Sequence, residues 1–283
     1  MLTVVKTLEE LQKVRTTHQQ VGFVPTMGNL HEGHISLLHQ ALSDFDVVYF
    51  SIFVNPKQFG PTEDFDRYPR TLENDLLLIE KELQLHTNKT VVVFAPQSTD
   101  EVYRGFSETI KVSGNITEIL EGAIRPGHFD GVTTVVYRLF DLMKPTKAYF
   151  GLKDYQQWAV ISLLVKQEKL PIEVVGLPIK RSPEGLALSS RNQYLSAEQK
   201  EKALHIIKTL REIERILDGK SSNIELAQDY INNQLTDSDW DYLTMRDHLT
   251  LSEDISHSSR ITILAVYRMG TTRLLDNIQV ELK

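Results

Sequence analysis

The stretch Val21–Leu38, VGFVPTMGNLHEGHISLL, decides how the rest of the chain is read. Its opening apolar and β-branched residues, Val21, Phe23 and Val24, suit a buried strand. Pro25 has no N–H and a fixed φ, so it is expected to end that strand. Gly28 and Gly33 then bracket a short polar turn, and apolar periodicity predicts a helix from Ile35 to Ser43. Strand, glycine-marked turn and helix together set backbone N–H groups and a helix dipole against a phosphate. Two imidazoles, His31 and His34, stand in the turn one helical turn apart, as His-x-Gly-His. A zinc-protease helix needs histidines four apart with glutamate after the first. Here they are three apart with a glycine between, and the chain has no cysteine to build a structural zinc site. Nucleotide phosphate, rather than metal, is the partner these imidazoles imply.

Outward from this turn the pattern continues as an α/β protein. Before it, Thr7-x-x-Glu10 is a capping box for a helix running to about Gln20. After it, Asp46–Val54 is apolar almost throughout, as a strand covered on both faces would be. Strand, helix, strand in that order implies a parallel sheet, whose ligands sit at the carboxyl ends of the strands. The residues following each strand are therefore the candidates. Asn55-Pro56-Lys57-Gln58-Phe59-Gly60-Pro61 is a rigid loop with two amides, equally readable as plain surface. A helix is expected over Thr71–Leu83, with Asp75 either a magnesium contact through nucleotide phosphates or a solvated carboxylate. Val91–Phe94 is the next strand, and Phe106–Val112 alternates enough for an edge strand.

Arg125–Gly131 is another glycine-punctuated loop, followed by a helical pattern over Val132–Met143. His128 in that loop is read as a capping or packing histidine. Lys147–Phe150 is a short strand, and Lys153 lies just beyond it and before a helix, where a phosphate contact or a solvated loop lysine would both fit. Glu173–Leu177 is the last strand of this series, and Pro178 marks a boundary. The expected organisation is a Rossmann-like parallel-sheet domain over 1–177 and a smaller α+β domain over 178–283. The second domain begins with a proline- and glycine-bearing mobile loop, Lys180–Asn192. Ser196-x-x-Gln199 caps a long amphipathic helix and Ser222-x-x-Glu225 a second. Trp240–Arg246, Ile261–Arg268 and Arg273–Leu282 are strand-like.

The 283 residues, 41% hydrophobic and 24% charged, suffice for two modest domains. Without cysteine there is no disulfide, thiolate nucleophile or thioester, which fits a cytoplasmic protein. The start of the chain becomes charged too early for a signal peptide. The most apolar run, Val47–Val54, is eight residues, too short to span a membrane. The net charge of −7 is spread over both parts, with 17 basic against 22 acidic residues through Leu177 and 14 against 16 beyond. Neither part is a basic module, which weighs against nucleic acid as the partner.

Five segments carry a family resemblance: Pro25–His34 (PTMGNLHEGH), Phe53–Phe59 (FVNPKQF), Gly127–Val132 (GHFDGV), Gly151–Gln157 (GLKDYQQ) and Leu188–Asn192 (LSSRN). Together they resemble the pantothenate synthetases, or pantoate–β-alanine ligases, of the HxGH nucleotidyltransferase superfamily. The resemblance implies condensation of (R)-pantoate with β-alanine through a pantoyl adenylate, giving pantothenate, AMP and diphosphate. It implies ATP contacts from Met27, Gly28, Asn29, Leu30, His31, Glu32, Gly33 and His34, with His34 catalytic. It extends them to Gly151, Leu152, Lys153, Asp154, Lys180, Leu188, Ser189, Ser190 and Arg191. Gln58 would hold pantoate and then β-alanine, and Gln157 would hold pantoate. Leu152 replaces the family's glutamate, so only a backbone contact is implied there. Leu188 replaces the methionine of some relatives. ATP with Mg2+, a cytoplasmic homodimer, and neither nucleic acid nor membrane as partner complete the expectation. Other readings are a nucleotidyltransferase that stops at the adenylated product, a non-catalytic RNA-binding relative of class I synthetases, and a catalytically dead regulator.

Overall fold

The structure, a computed structural model, describes residues 1–15, 20–61 and 63–283. The chain divides into two compact units, one of Met1–Leu152 with Gln157–Pro178, the other of Lys153–Gln156 with Ile179–Lys283.

The first unit is built on strands β1 (Leu2–Val5), β2 (Gly22–Thr26), β3 (Val47–Ile52), β4 (Thr90–Phe94), β5 (Lys147–Gly151) and β6 (Glu173–Leu177). They form one parallel sheet in the order β1-β4-β3-β2-β5-β6. The connecting helices are α1 (Leu8–Arg15), α2 (Glu32–Asp44), α3 (Leu72–Leu83), α4 (Thr99–Tyr103), α5 (Glu121–Ile124), α6 (His128–Met143) and α7 (Tyr155–Gln167). From β2 the chain steps outward through β3 to β4, then crosses back to β5 on the other side of β2. The carboxyl ends of β2 and β5 therefore flank the point where strand order reverses, the place where open α/β sheets form a ligand crevice.

Phe23 and Val24 show how the sheet is covered. Successive residues of a strand face opposite sides. Phe23 meets Phe140 of α6 edge-on, with ring centroids 6.2 Å apart, while Val24 packs with Leu38 and Leu42 of α2, Phe50 of β3 and Ile79 of α3. All are fully or nearly fully buried, and each contributes about 1.5–3 kcal/mol of transfer free energy.

Several expectations need correction. Pro25 does not end β2: it lies in register with Ser51 of β3, one residue inside the strand. Phe53 N–H donates to Thr26 O, so residue 26 turns its polar groups toward β3 and residue 25 turns toward β5. The β2–β5 ladder has already stopped at Phe23 and Ala148, so Pro25 lacks an N–H where none is needed. The start of the chain contributes an edge strand, β1, before α1. Thr7 and Glu10 do form the reciprocal capping box, at 3.2 Å each way, but α1 is described only to Arg15 and residues 16–19 of the expected helix lie outside the described residues. Residues 106–112 are not a strand; Ile110 N–H and C=O bond to the Thr134 and Thr133 hydroxyls of α6 instead of to a sheet.

The second unit packs α8 (Ala197–Leu217) and α9 (Ile224–Gln234) against an antiparallel sheet of β7 (Trp240–Asp247), β8 (Arg260–Met269) and β9 (Thr272–Glu281). Ala203, Ile206, Leu210, Ile213 and Leu217 alternate three and four apart along α8 and join Leu243, Ile261, Ile263 and Ala265 in its core. The Ser196–Gln199 capping box is present, with bonds of 3.1 and 2.9 Å. The expected cap at Ser222 is absent. A 3-10 turn over Ser221–Asn223 leads into α9, and the Asn223 side chain donates back to Ile216 O and Leu217 O at the end of α8.

Candidate active site

The turn after β2 is held by side chains buried beneath it. Thr26 Oγ1 donates to Ser51 O at 2.8 Å and accepts from Gly28 N–H at 3.2 Å, tying the turn to β3. Gly28 has φ +85°, and a Cβ there would press on Ile52 and the Asp75 carboxylate at 3.0–3.1 Å. Asn29 follows at φ +51°, a conformation asparagine tolerates better than most residues. Asp75, 1% exposed, accepts from Asn29 N–H at 3.0 Å, Leu30 N–H at 2.8 Å and the Thr71 hydroxyl at 3.1 Å. It is not a solvated carboxylate. It is the acceptor that shapes Met27–Leu30.

Helix α2 begins at Glu32, three residues before the apolar pattern, with His31 as its N-cap. His31 Nδ1 accepts from Gly33 N–H at 3.1 Å, and His34 Nδ1 accepts from His31 N–H at 3.3 Å, a capping box made of two imidazoles. The rings lie 4.1 Å apart between centroids. A nitrogen that accepts a backbone N–H cannot carry a proton, so each ring carries its hydrogen on Nε2. Both histidines are thereby set as neutral Nε2–H donors at the positive end of a helix. Gly33 is required by this arrangement: a Cβ there would stand 2.7 Å from the His31 ring.

Gln58 ends a 3-10 turn, Pro56–Gln58, that follows β3. Its amide accepts from Asn55 Nδ2 at 3.2 Å and donates to Met27 Sδ at 3.2 Å, so the second and first candidate loops meet. Asn55, 1% exposed, is fixed in turn by Tyr103 OH at 2.9 Å and by Gly131 O at 3.2 Å. Helix α6 begins at His128, four residues before the expected start at Val132, and Gly131 lets its first turn abut this loop; a Cβ at 131 would fall 2.2 Å from Lys57 O. His128 Nδ1–H donates to Gln58 O at 2.8 Å, and its Nε2 accepts from Arg125 at 3.1 Å. Burial, then the Arg125 charge, pushes the His128 pKa down to about 4. Arg125 itself clasps Glu63 through two bonds of 2.7 and 2.6 Å. Burial alone would raise Glu63, but this guanidinium holds its carboxyl below the usual range. His128 is a packing histidine that holds the Gln58 loop.

At the end of β5, Gly151 leads into a 3-10 turn over Leu152–Asp154. The Leu152 side chain lies over Gly176 of β6, where a Cβ would meet it at 2.5 Å, so this leucine packs on the sheet in place of a charged group. Gln157 is half-buried in the first turn of α7.

The remaining candidates belong to the second unit. Lys153 Nζ donates to Asp154 at 3.0 Å, and Lys153 O accepts from Asn277 Nδ2 at 3.1 Å. Tyr155 OH donates to His248 O at 2.8 Å, which completes the attachment of residues 153–156. Residues 180–188 fold back on themselves, with Arg181 opposite Ala187 and Leu188 N–H on Lys180 O at 2.9 Å. The Arg181 guanidinium grips the buried Asp276 carboxylate by two bonds of 2.6 and 2.7 Å. Lys180 beside it is exposed. Ser189 caps a 3-10 turn, Ser190–Tyr194, by accepting from Arg191 N–H at 3.2 Å. Asn192 Nδ2 ties that turn to Ala187 O at 2.9 Å.

A sequence profile described as pantoate-beta-alanine ligase matches residues 2–279. The chain belongs to the pantoate–β-alanine ligase family. It is 44% identical over 288 residues to a pantothenate synthetase of Hydrogenovibrio crunogenus, spanning 100% of this chain and 99% of that one. The ligase structure from Thermus thermophilus is similar at a TM-score of 0.87 and 39% identity, over 98% of this chain and 99% of that one. A pantoate–β-alanine ligase of Francisella tularensis, solved with β-γ ATP and β-alanine, superposes at a TM-score of 0.74 with 33% identity, over 98% and 97%. Membership makes the chain an acid–amino-acid ligase, an enzyme that forms a carbon–nitrogen bond.

Sequence reasoning misses the burial of Asp75 and passes over Thr26, Tyr103 and Arg181. Asp75 did leave a signal. It stands four before Ile79 and eight before Leu83, on the apolar stripe of α3, where a carboxylate has to find donors.

Proposed function

We propose that the ligase reaction of this chain runs on the histidine turn, with His34 as the principal catalytic donor. The enzyme joins (R)-pantoate to β-alanine with ATP as substrate. In the first step the pantoate carboxylate attacks the α-phosphorus of ATP and diphosphate leaves. In the second the amine of β-alanine attacks the acyl adenylate, losing its proton, and AMP leaves. Neither step needs an enzyme nucleophile, so positioning and charge stabilisation carry the rate.

The observation that carries this reading is the pair of backbone N–H bonds to Nδ1 of His31 and His34, which assigns the ring protons to Nε2. Both present Nε2–H at the N-terminus of α2, as donors to charge developing on phosphate oxygens. In this reading Met27–Gly33, Gly151 and the Leu152 backbone contact ATP. Lys153, Asp154, Lys180 and Leu188–Arg191 are assigned to the same nucleotide, with hydroxyls and cations suited to phosphate oxygens. Gln58 and Gln157 take pantoate, and Gln58 then takes β-alanine. The fixed amide of Gln58 supports that role, since it can donate to a carboxylate and accept from a hydroxyl or amine. Mg2+ enters with ATP as its counter-ion, since the polyphosphate itself supplies oxygen ligands. The chain is assigned as a cytoplasmic homodimer. Among the described residues no helix is long and apolar enough to cross a membrane.

The test is AMP formation from ATP with pantoate alone and with pantoate plus β-alanine. Sustained release only with both, and pantothenate identified by mass, supports the reading. AMP release indifferent to β-alanine overturns it.

A further inference from the structure

The middle of α2 and the C-terminal end of α3 carry a second polar cluster. His39 lies five residues beyond His34 on α2, about 140° round the helix and ~7.5 Å along it. Its Nδ1 is 2.8 Å from Glu82 Oε1 on α3, and the same oxygen is 3.0 Å from Nε2 of His86, just past the end of that helix. The ligand atoms of the three side chains all lie within 4.8 Å of one another. The Glu82 and His86 side chains are only 10% and 12% exposed, whereas His39 is 59% exposed. None of the three belongs to the machinery assigned above.

We propose that His39, Glu82 and His86 form a binding site for a late first-row divalent cation of the zinc type. Two imidazoles and one carboxylate are a donor set that zinc accepts, with a fourth position left for water or an outside ligand. Imidazole donors disfavour magnesium and calcium, which prefer oxygen. Tetrahedral zinc sets its ligands about 3.3 Å apart, given bonds near 2.0–2.1 Å. The cluster reaches that spacing by turning His39, the one side chain with open space around it. Each imidazole would hold its proton on the nitrogen away from the ion. Two ligands come from one helix and its C-terminal turn, the third from the neighbouring helix. The ion would clamp together the helix that begins with the histidine turn and the helix whose first turn carries Asp75.

The test reads binding alone, so it fails or succeeds independently of the ligase assignment. Chelator-treated, buffer-exchanged protein is titrated with Zn2+ against a chromophoric competitor, with thermal unfolding followed in parallel. The expected result is one saturable equivalent, with Tm raised by about several degrees at saturation. His39→Ala removes an exposed ligand and leaves the fold intact by circular dichroism, yet weakens binding about tenfold or more. Glu82→Gln keeps the shape and loses the charge, with the same expected loss. His34→Ala leaves zinc affinity unchanged. The proposal is overturned if no saturable equivalent binds, or if His39→Ala binds zinc as tightly as the parent, in which case the cluster is a hydrogen-bonded packing triad.

Discussion

The turn at residues 26–34 and the segment at 180–192 both present hydrogen-bond donors of the kind phosphates accept, but they are held by different means. In the first, side-chain acceptors seize the backbone itself: buried Asp75 takes two N–H groups, Thr26 a third, and the imidazoles two more. In the second, Arg181 on Asp276 pins the base, and the Ser189–Arg191 donors stand in a short 3-10 turn that Asn192 ties to Ala187 O. The first device holds the backbone of the donor turn itself, the kind of preorganisation that transition-state stabilisation requires. The second fixes where a donor-bearing segment starts, through one buried ion pair between side chains.

Perturbing each device separately sharpens the contrast. His34→Ala is expected to lower turnover about 100- to 1000-fold, the scale for one preorganised donor, while loss of its cap bond to His31 N–H costs only about 1 kcal/mol of stability; steady-state AMP release at saturating substrates measures the first effect. Arg181→Ala strands the buried Asp276 carboxylate and should cost about 3 kcal/mol of stability, read by urea unfolding. A chain unaffected by that change would show that the base of the segment is held elsewhere.

Asp75→Asn puts an amide N–H toward a backbone N–H and should cost about 2–3 kcal/mol of stability. It should also lower kcat/KM for ATP, because Met27–Leu30 lose their template. If only stability falls and kcat/KM holds, the turn keeps its shape without the carboxylate. The smallest effect is one of pH. His128 titrates at about 4 when folded against an ordinary 6.5, so between those values the unfolded chain holds a proton that the folded chain refuses. Stability from this group is therefore complete above 6.5 and is lost as pH falls toward 4. At pH 5 the loss is about 2 kcal/mol, and unfolding of His128→Gln compared with the parent at pH 7.5 and 5 isolates it.

Much of this was legible in the sequence, and the exceptions share a cause. Five of the six strands of the parallel sheet, the three C-terminal strands and the long capped helix follow from periodicity and local signals over four to ten residues. The quoted motifs led to the family on their own. What escaped depends on partners remote in the chain. Asp75 acts on residues 45 and 46 positions away. Pro25 is tolerated only because the ladder with β5 has stopped, and β1 is a four-residue strand that needs β4 to exist. The start of α2 was misplaced because its cap is a histidine pair, and apolar periodicity begins only after it.

One missing methyl group governs how the loop after β3 can be reshaped. Glycine at 131 lets α6 sit directly on the Lys57 carbonyl, so the side chain assigned to the carboxylic acid substrate inherits its position from a helix some seventy residues later in the chain. Redesign of acid preference has a handle there that leaves Gln58 itself untouched. Larger residues at 131 would translate the whole Asn55–Gln58 loop as a piece, and a family of acids of graded size would measure the displacement.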